Sequence, residues 1–187
     1  LLILMNYIIE DNFFSDPNNV REFALKQTFY SKENHPQFKI DSVGIDEFPG
    51  HRTAFFDDIH SKFYNDIHNK IIPLISKLEN IKHPTDKYEK FNLQLSFSYT
   101  SKGAKSFKHT DDILKGYKVR YGGLVYLHPD PPSRSGTTLY LKEMTYLDNI
   151  YNRLVLYNSN IEHEPTDNFG DDINNSRLVF TIFYDMA

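Results

Sequence analysis

One segment in the middle of the chain constrains the fold more than any other part of the sequence. Between Phe91 and Tyr99, apolar side chains stand at every odd position and polar side chains at every even position. Because side chains along a β-strand alternate between its two faces, this pattern gives one apolar and one polar face. The segment therefore predicts a strand that covers a core on one side.

Six more short segments with strand character follow, and turn-rich sequence separates them. They are Ser106–Thr110, Gly122–Leu127, Thr137–Leu141, Arg153–Asn158, Ile161–Glu164 and Arg177–Tyr184. The sequence between them carries no helical pattern, so a parallel sheet with crossover helices is excluded. Many short strands without helices between them are typical of a sandwich or jelly roll. We therefore predict a mainly β fold with flanking helices.

The N-terminal half of the chain has helical patterns instead. The pair Asp16–Pro17 is a helix start, since a capping side chain precedes a proline, and it predicts a helix over about 17–29. Apolar residues at spacings of three and four predict a second helix over about 58–79, with a kink or break at Pro73. A weakly alternating stretch between the helices, Phe38–Val43, is a candidate strand.

The length of 187 residues suits one domain. We predict a single domain over 1–187, in which a helical N-terminal part, 1–90, packs on the sheet of a β core, 91–184. The chain shows no internal repeat and no low-complexity segment that would indicate another organisation.

Composition and charge exclude several classes of function. The chain has no Cys, which excludes disulfides, Cys-based zinc sites, iron–sulfur clusters and thiol nucleophiles. A reducing compartment suits such a chain, and we predict a cytoplasmic protein. The formal charge is -4 and the basic residues are scattered, so no nucleic-acid partner is expected. The apolar opening, 1–4, is too short for a signal peptide, and no stretch approaches the roughly 20 apolar residues of a membrane span.

Two histidines and one aspartate are the candidate metal ligands. His109 and Asp111 are two positions apart, at the end of the predicted strand Ser106–Thr110, and residues at i and i+2 of a strand point to the same face. Asp112 is the alternative carboxylate, but alternation places it on the opposite face. His163 follows a later predicted strand. Two histidines and one carboxylate form the facial triad of non-haem Fe(II) oxygenases, which leaves coordination positions open.

A fourth candidate, Arg177, opens the last apolar segment of the chain. A cation at the start of a buried strand is costly unless it meets an anion. A guanidinium matches a carboxylate with two parallel hydrogen bonds, so Arg177 is a candidate carboxylate-binding residue. The alternative is a strand-end arginine whose charged end reaches water.

The ordered set of these motifs resembles the 2-oxoglutarate/Fe(II)-dependent dioxygenase superfamily, in its prolyl-4-hydroxylase-like branch. The resemblance covers about residues 91–184. Ser135 stands where the family has the first of two glycines. The matching segments are Tyr99–Gly103 leading to Phe107–Asp111, Gly123–Leu127, Ser135–Leu139, Asn152–Tyr157, His163 and Arg177.

The resemblance implies a double-stranded β-helix (jelly roll) and a hydroxylase. In the family's pattern, Fe(II) is held by His109, Asp111 and His163, which are then the catalytic residues. The co-substrate 2-oxoglutarate chelates the iron, and its distal carboxylate meets Arg177, with Tyr99 as a second co-substrate residue. Reaction with O₂ converts 2-oxoglutarate to succinate and hydroxylates a small-molecule or peptidyl substrate.

Two alternatives stay open beside this interpretation. A cupin-like jelly-roll protein without 2-oxoglutarate would keep the histidines but would have no reason for a buried Arg177. A non-catalytic binding sandwich is a more distant alternative. Upstream, Phe48–Arg52 is similar to a Pro-Gly-x-Arg segment of small relatives in the branch, which would give Arg52 a substrate role. A simple Pro-Gly turn is the interpretation that we favour there.

Overall fold

A computed structural model describes residues 5–37, 48, 50–56, 58, 60–84, 90–114 and 117–186. Its helices are α1 (Pro17–Leu25) and α2 (Lys62–Glu79). Its strands are β1 (Tyr7–Glu10), β2 (Phe29–Tyr30), β3 (His51–Thr53), β4 (Phe91–Thr100), β5 (Ile113–Leu114), β6 (Tyr117–Lys118), β7 (Tyr121–Tyr126), β8 (Thr137–Tyr140), β9 (Met144–Leu147), β10 (Leu154–Asn158), β11 (His163–Pro165) and β12 (Arg177–Met186). The candidate strand Phe38–Val43 lies outside the described residues.

The strands form two antiparallel sheets and a small hairpin. The larger sheet has the order β1-β10-β7-β12-β4-β3-β2, and the smaller sheet has the order β11-β8-β9. Strands β5 and β6 form a separate two-stranded sheet. The predicted mainly β fold with flanking helices is therefore confirmed. Among the described residues, no helix is long and apolar enough to cross a lipid bilayer.

The central strands of the larger sheet are buried on both faces. Along β12, Leu178, Phe180 and Ile182 pack in one hydrophobic cluster together with residues of α1 and α2. Val179, which points the opposite way, packs in a second cluster with Leu139 of the smaller sheet. One core thus lies between the larger sheet and the helices, and another lies between the two sheets. The candidate site opens from the second of these layers.

The two helices begin at side-chain caps. Asp16 accepts a hydrogen bond from a first-turn backbone N–H of α1, and Ser61 does the same for α2. Helix α1 ends at Leu25, earlier than predicted. The predicted break at Pro73 is wrong, because α2 runs through this residue. Pro73 is exposed, so the backbone hydrogen bond that it removes lies on the side of the helix that faces water.

Several strands differ from the sequence prediction. The stretch Ser106–Thr110 forms no strand beyond an isolated bridge at His109. The loop before it bonds elsewhere, since the Lys102 N–H donates to the carbonyl of Gly170. The sequence before residue 91 adds β1, β2 and β3 to the edges of the larger sheet, and β9 was not predicted. These strands have two to four residues, which is too short for a clear alternating pattern.

Candidate metal centre

The structure brings His109, Asp111 and His163 together at one end of the space between the sheets. His109 and His163 exchange two backbone hydrogen bonds of 3.0 and 2.8 Å, which hold the two chain segments side by side. Their ring centroids are 4.4 Å apart. One ligand atom from each of the three residues lies within 4.8 Å of the others. Asp112 is not part of this cluster.

Hydrogen bonds hold both imidazoles in the form that a metal ion requires. Nδ1 of His109 lies 2.9 Å from the carbonyl oxygen of Phe107, and Nδ1 of His163 lies 3.0 Å from that of Ile161. Because a carbonyl only accepts, each Nδ1 carries the proton and donates it. In the neutral ring, Nε2 then keeps a lone pair, which is the donor that binds metals.

The charges of the cluster favour a cation. Burial lowers the pKa of His109, and the neighbouring His163 lowers it further. Burial alone would raise the pKa of Asp111, but the two imidazoles and the Tyr157 hydroxyl hold it well below its ordinary value. Burial alone would lower the pKa of His163, but the Asp111 carboxylate raises it above the ordinary value. Asp111 is therefore ionised and stabilises positive charge beside His163, whether a proton or a metal ion.

The space around the Asp111 carboxylate depends on a glycine. A Cβ at Gly122 would lie 2.6 Å from Asp111 Oδ2 and 2.8 Å from a ring carbon of Tyr157, closer than van der Waals contact allows. The Tyr157 hydroxyl donates to Asp111 Oδ2 over 2.8 Å. Because Gly122 on β7 has no side chain, the Asp111 carboxylate and the Tyr157 ring occupy the space where a Cβ would lie.

Arg177 lies in the same pocket and is almost completely buried, with 5% of its surface exposed. Its guanidinium donates to the carbonyls of Ser135 and Gly136 over 3.2 and 3.4 Å, and to the Thr137 hydroxyl over 3.0 Å. It also lies over the ring of Tyr126. All of these partners are uncharged, and no carboxylate of the described residues pairs with Arg177. Burial lowers its pKa, but a guanidinium stays charged in proteins.

Beside Arg177 lies the hydroxyl group of Thr100, which lacks a hydrogen-bond partner. Thr100 pairs with Arg177 across β4 and β12, and both residues line the pocket. The Thr100 hydroxyl oxygen is buried without a hydrogen bond. A buried polar group without a partner costs free energy, typically about 1–3 kcal/mol. A buried cation and an unpartnered hydroxyl on adjacent strands therefore fit an anionic ligand.

The structure does not bring Tyr99 into this pocket. Its neighbours Ser98 and Thr100 line the pocket, so strand alternation turns Tyr99 to the other face of β4. There its ring stacks on His51, with centroids 4.9 Å apart, and contacts Phe29. Tyr99 therefore packs against the N-terminal strands, whereas the next residue, Thr100, lines the pocket.

The sequence assigns little or no functional role to two other residues at the pocket, Arg52 and Tyr157. Arg52 lines the pocket on β3, and its guanidinium lies over the rings of Phe48 and Phe183 at 4.6 and 5.4 Å. The weak Pro-Gly-x-Arg similarity is the sequence signal for Arg52, although the sequence alone favours a simple turn there. Tyr157 contacts both Asp111 and His163. The matching segment Asn152–Tyr157 includes Tyr157, but it received no role from the sequence, because a tyrosine in an apolar strand is an ordinary core residue.

Solved structures match the fold over nearly the whole chain. A Pseudomonas putida prolyl-4-hydroxylase has 13% sequence identity and a TM-score of 0.63, over 97% of this chain and 93% of that one. A Trichoplax adhaerens prolyl hydroxylase, in complex with a hypoxia inducible factor peptide, has 18% identity and a TM-score of 0.64, over 96% and 83%. The chain has the double-stranded β-helix fold of these hydroxylases. The predicted fold is thereby confirmed in its specific form.

A further match is a structure with nickel and 2-oxoglutarate bound. HygX from Streptomyces hygroscopicus, with nickel and 2-oxoglutarate, has 11% identity and a TM-score of 0.57, over 97% of this chain and 83% of that one. No protein-family model and no curated protein matches the chain in sequence. At these identities the matches establish the fold, and the function has to be argued from the pocket.

Proposed function

We propose that the chain is an iron- and 2-oxoglutarate-dependent dioxygenase that hydroxylates an amino acid, a peptidyl side chain or a small metabolite. One observation carries this proposal: a cation site and a separate anion site lie in the same buried pocket. The cation site is the cluster of His109, Asp111 and His163, and the anion site is Arg177 with Thr100. A cupin-like metal protein accounts for the first site only.

The three clustered residues fit a non-haem iron centre. Two imidazoles and one carboxylate are the donor set of Fe(II) oxygenases, which leave positions open for other ligands. Nε2 of His109 and Nε2 of His163 lie 3.9 and 3.3 Å from the carboxylate oxygens of Asp111, and this carboxylate is ionised. The chain therefore needs no change of protonation at His109 or Asp111 to bind a divalent ion.

The anion site fits the distal carboxylate of 2-oxoglutarate. Arg177 supplies a charged donor, and Thr100 supplies a hydroxyl that has no other hydrogen-bond partner. Uncharged partners from Ser135 and Thr137 hold the guanidinium in place without neutralising it. A dicarboxylic keto acid with one end at Arg177 and the other at the histidine cluster uses both sites at once.

The protein's contribution is to position the reactants and to exclude water. Bound iron and 2-oxoglutarate supply the activation of O₂ and the oxidation of the substrate. Gly122 keeps the carboxylate of Asp111 free of steric contact, and Arg177 fixes the orientation of the co-substrate. Leu124 and Val179 contribute apolar side chains to the lining of the same pocket. Arg52 adds a second guanidinium to the wall of the pocket.

Turnover of the co-substrate tests the proposal. Purified protein with Fe(II), ascorbate and 2-oxoglutarate is expected to form succinate in the presence of O₂ and none under nitrogen. A panel of amino acids and peptides should contain compounds that stimulate this turnover. Asp111→Ala should abolish succinate formation, whereas Asp112→Ala, one position away and outside the cluster, should retain it. Metal binding without any conversion of 2-oxoglutarate would favour the cupin-like alternative.

A further inference from the structure

Tyr157 occupies a place that the proposed function does not use. Its hydroxyl oxygen lies 2.8 Å from Asp111 Oδ2 and 3.0 Å from His163 Nε2. These two atoms are themselves 3.3 Å apart. One phenol hydroxyl therefore contacts two of the three groups that would bind the metal ion.

The hydroxyl has only one proton for these two neighbours. Neutral His163 keeps its proton on Nδ1, which donates to the carbonyl of Ile161, so Nε2 is an acceptor. The ionised Asp111 carboxylate is also an acceptor. A positive ion that takes the Nε2 lone pair of His163 ends this competition and leaves the Tyr157 proton to Asp111.

The ring of Tyr157 is held too firmly for the hydroxyl to move away. Tyr157 lies on β10 with only 2% of its surface exposed, and its centroid is 4.7 Å from that of His163. The bare backbone of Gly122 leaves room for the ring and the carboxylate together. A rigid aromatic side chain thus presents a donor at a fixed point beside the carboxylate.

We propose that Tyr157 is a positioning residue of the metal centre, whose hydroxyl donates to Asp111 Oδ2 and fixes the orientation in which this carboxylate binds the ion. The inference rests on the proposed metal role of His109, Asp111 and His163. Groups that hydrogen-bond to metal ligands set ligand orientation, and their loss typically weakens metal binding by about 10–100-fold.

Tyr157→Phe removes the hydroxyl and keeps the ring. Titration calorimetry with Co²⁺, in the absence of 2-oxoglutarate, should show Co²⁺ binding weakened by about 10–100-fold relative to the wild type. The visible absorption of bound Co²⁺ should also change, because it reports the coordination geometry, which a merely structural role would leave unaltered. Tyr121→Phe is the matched control: this buried tyrosine donates to Glu79, away from the centre, and its loss should leave Co²⁺ binding unchanged.

The outcomes separate this inference from the proposed function. If the wild type binds no Co²⁺, the proposed metal centre fails, and the inference fails with it. If the wild type binds Co²⁺ and Tyr157→Phe binds it equally well with the same spectrum, only the inference fails. Tighter binding by Tyr157→Phe also overturns it, since the hydroxyl would then compete with the ion.

A second measurement needs no variant and covers the case in which Tyr157→Phe does not fold. In a crystal structure of the wild type with Co²⁺, the Tyr157 hydroxyl should lie within hydrogen-bond distance of Asp111, with His163 Nε2 bound to the ion. A Tyr157 hydroxyl displaced from Asp111 in that structure would overturn the inference.

Discussion

Arg177→Ala is the substitution that separates a 2-oxoglutarate enzyme from a metal-binding jelly roll. The guanidinium is buried, and every partner described for it is uncharged. If the distal carboxylate of 2-oxoglutarate is its missing charged partner, the variant leaves that carboxylate buried without a cation. Truncating one side of a buried, hydrogen-bonded charge pair typically costs about 2–5 kcal/mol.

That free energy corresponds to a loss of roughly 30-fold to 4,000-fold in 2-oxoglutarate affinity, at about 1.4 kcal/mol per factor of ten. The assay is titration of 2-oxoglutarate into protein loaded with Mn²⁺, so that no turnover occurs. Arg177→Lys should lose less, since it keeps the charge but not the two-pronged donor geometry. Metal affinity should stay unchanged in both variants, because Arg177 is not part of the histidine cluster.

The substitution also removes donors from Ser135, Gly136 and Thr137, so its effect on folding has to be separated from its effect on binding. Arg177→Met fills more of the vacated volume than alanine does and carries no charge, and it serves as a second variant. If Arg177→Ala or Arg177→Met folds with the thermal stability of the wild type and binds 2-oxoglutarate equally well, the anion-site reasoning is wrong. The cupin-like alternative would then account better for the pocket.

Two further predictions concern Gly122 and His68. Gly122→Ala places a Cβ 2.6 Å from Asp111 Oδ2. Urea denaturation should therefore show a free energy of unfolding that is lower by about 1–3 kcal/mol, and calorimetry should show a weaker Co²⁺ affinity. An unchanged unfolding free energy and Co²⁺ affinity would contradict the described packing. Burial lowers the pKa of His68 from 6.5, so its stabilising contribution is complete above pH 6.5 and is lost as the pH falls towards the lowered value. Metal-free wild type should therefore lose more stability than His68→Gln between pH 7.5 and 5.5, and equal losses would refute this.

The candidate metal ligands could be predicted from the sequence because their signal is local. His109 and Asp111 are two positions apart, which alone is a weak signal, and the ordered set of motifs that resembles the dioxygenase family joined His163 to them. The geometry that joins them is not local. An isolated bridge between His109 and His163 brings them together, whereas the sequence had predicted a full strand over Ser106–Thr110. Their roles as ligands stay a prediction until a metal is bound.

Tyr99 shows where sequence reasoning reached its limit. The alternation from Phe91 to Tyr99 predicts a core on one side of the strand only, but Ser96 and Ser98 on its polar face are buried as well. The pairing of Thr100 with Arg177 could not be predicted, because strand register depends on contacts between distant segments. That register places the polar face of β4 in the pocket and turns Tyr99 away from it.

The division into 1–90 and 91–184 stays a prediction, although the first part contributes three strands to the larger sheet.

Very short strands and close side-chain contacts could not be predicted, because they leave no periodic pattern in the sequence. The strands β2 and β3 have two and three residues, so they carry no measurable periodicity, yet β3 brings Arg52 into the pocket. The contact of Tyr157 with Asp111 depends on the bare backbone of Gly122, and no spacing rule reports such a contact.

A crystal structure of the protein with Mn²⁺ and 2-oxoglutarate, prepared without O₂, tests the central claim most directly. The account predicts one Mn²⁺ bound by His109 Nε2, Asp111 and His163 Nε2, with the keto acid end of 2-oxoglutarate on the ion. The distal carboxylate should lie within hydrogen-bond distance of the Arg177 guanidinium and the Thr100 hydroxyl. A metal ion bound elsewhere, or a co-substrate that leaves Arg177 without a carboxylate partner, would contradict the account.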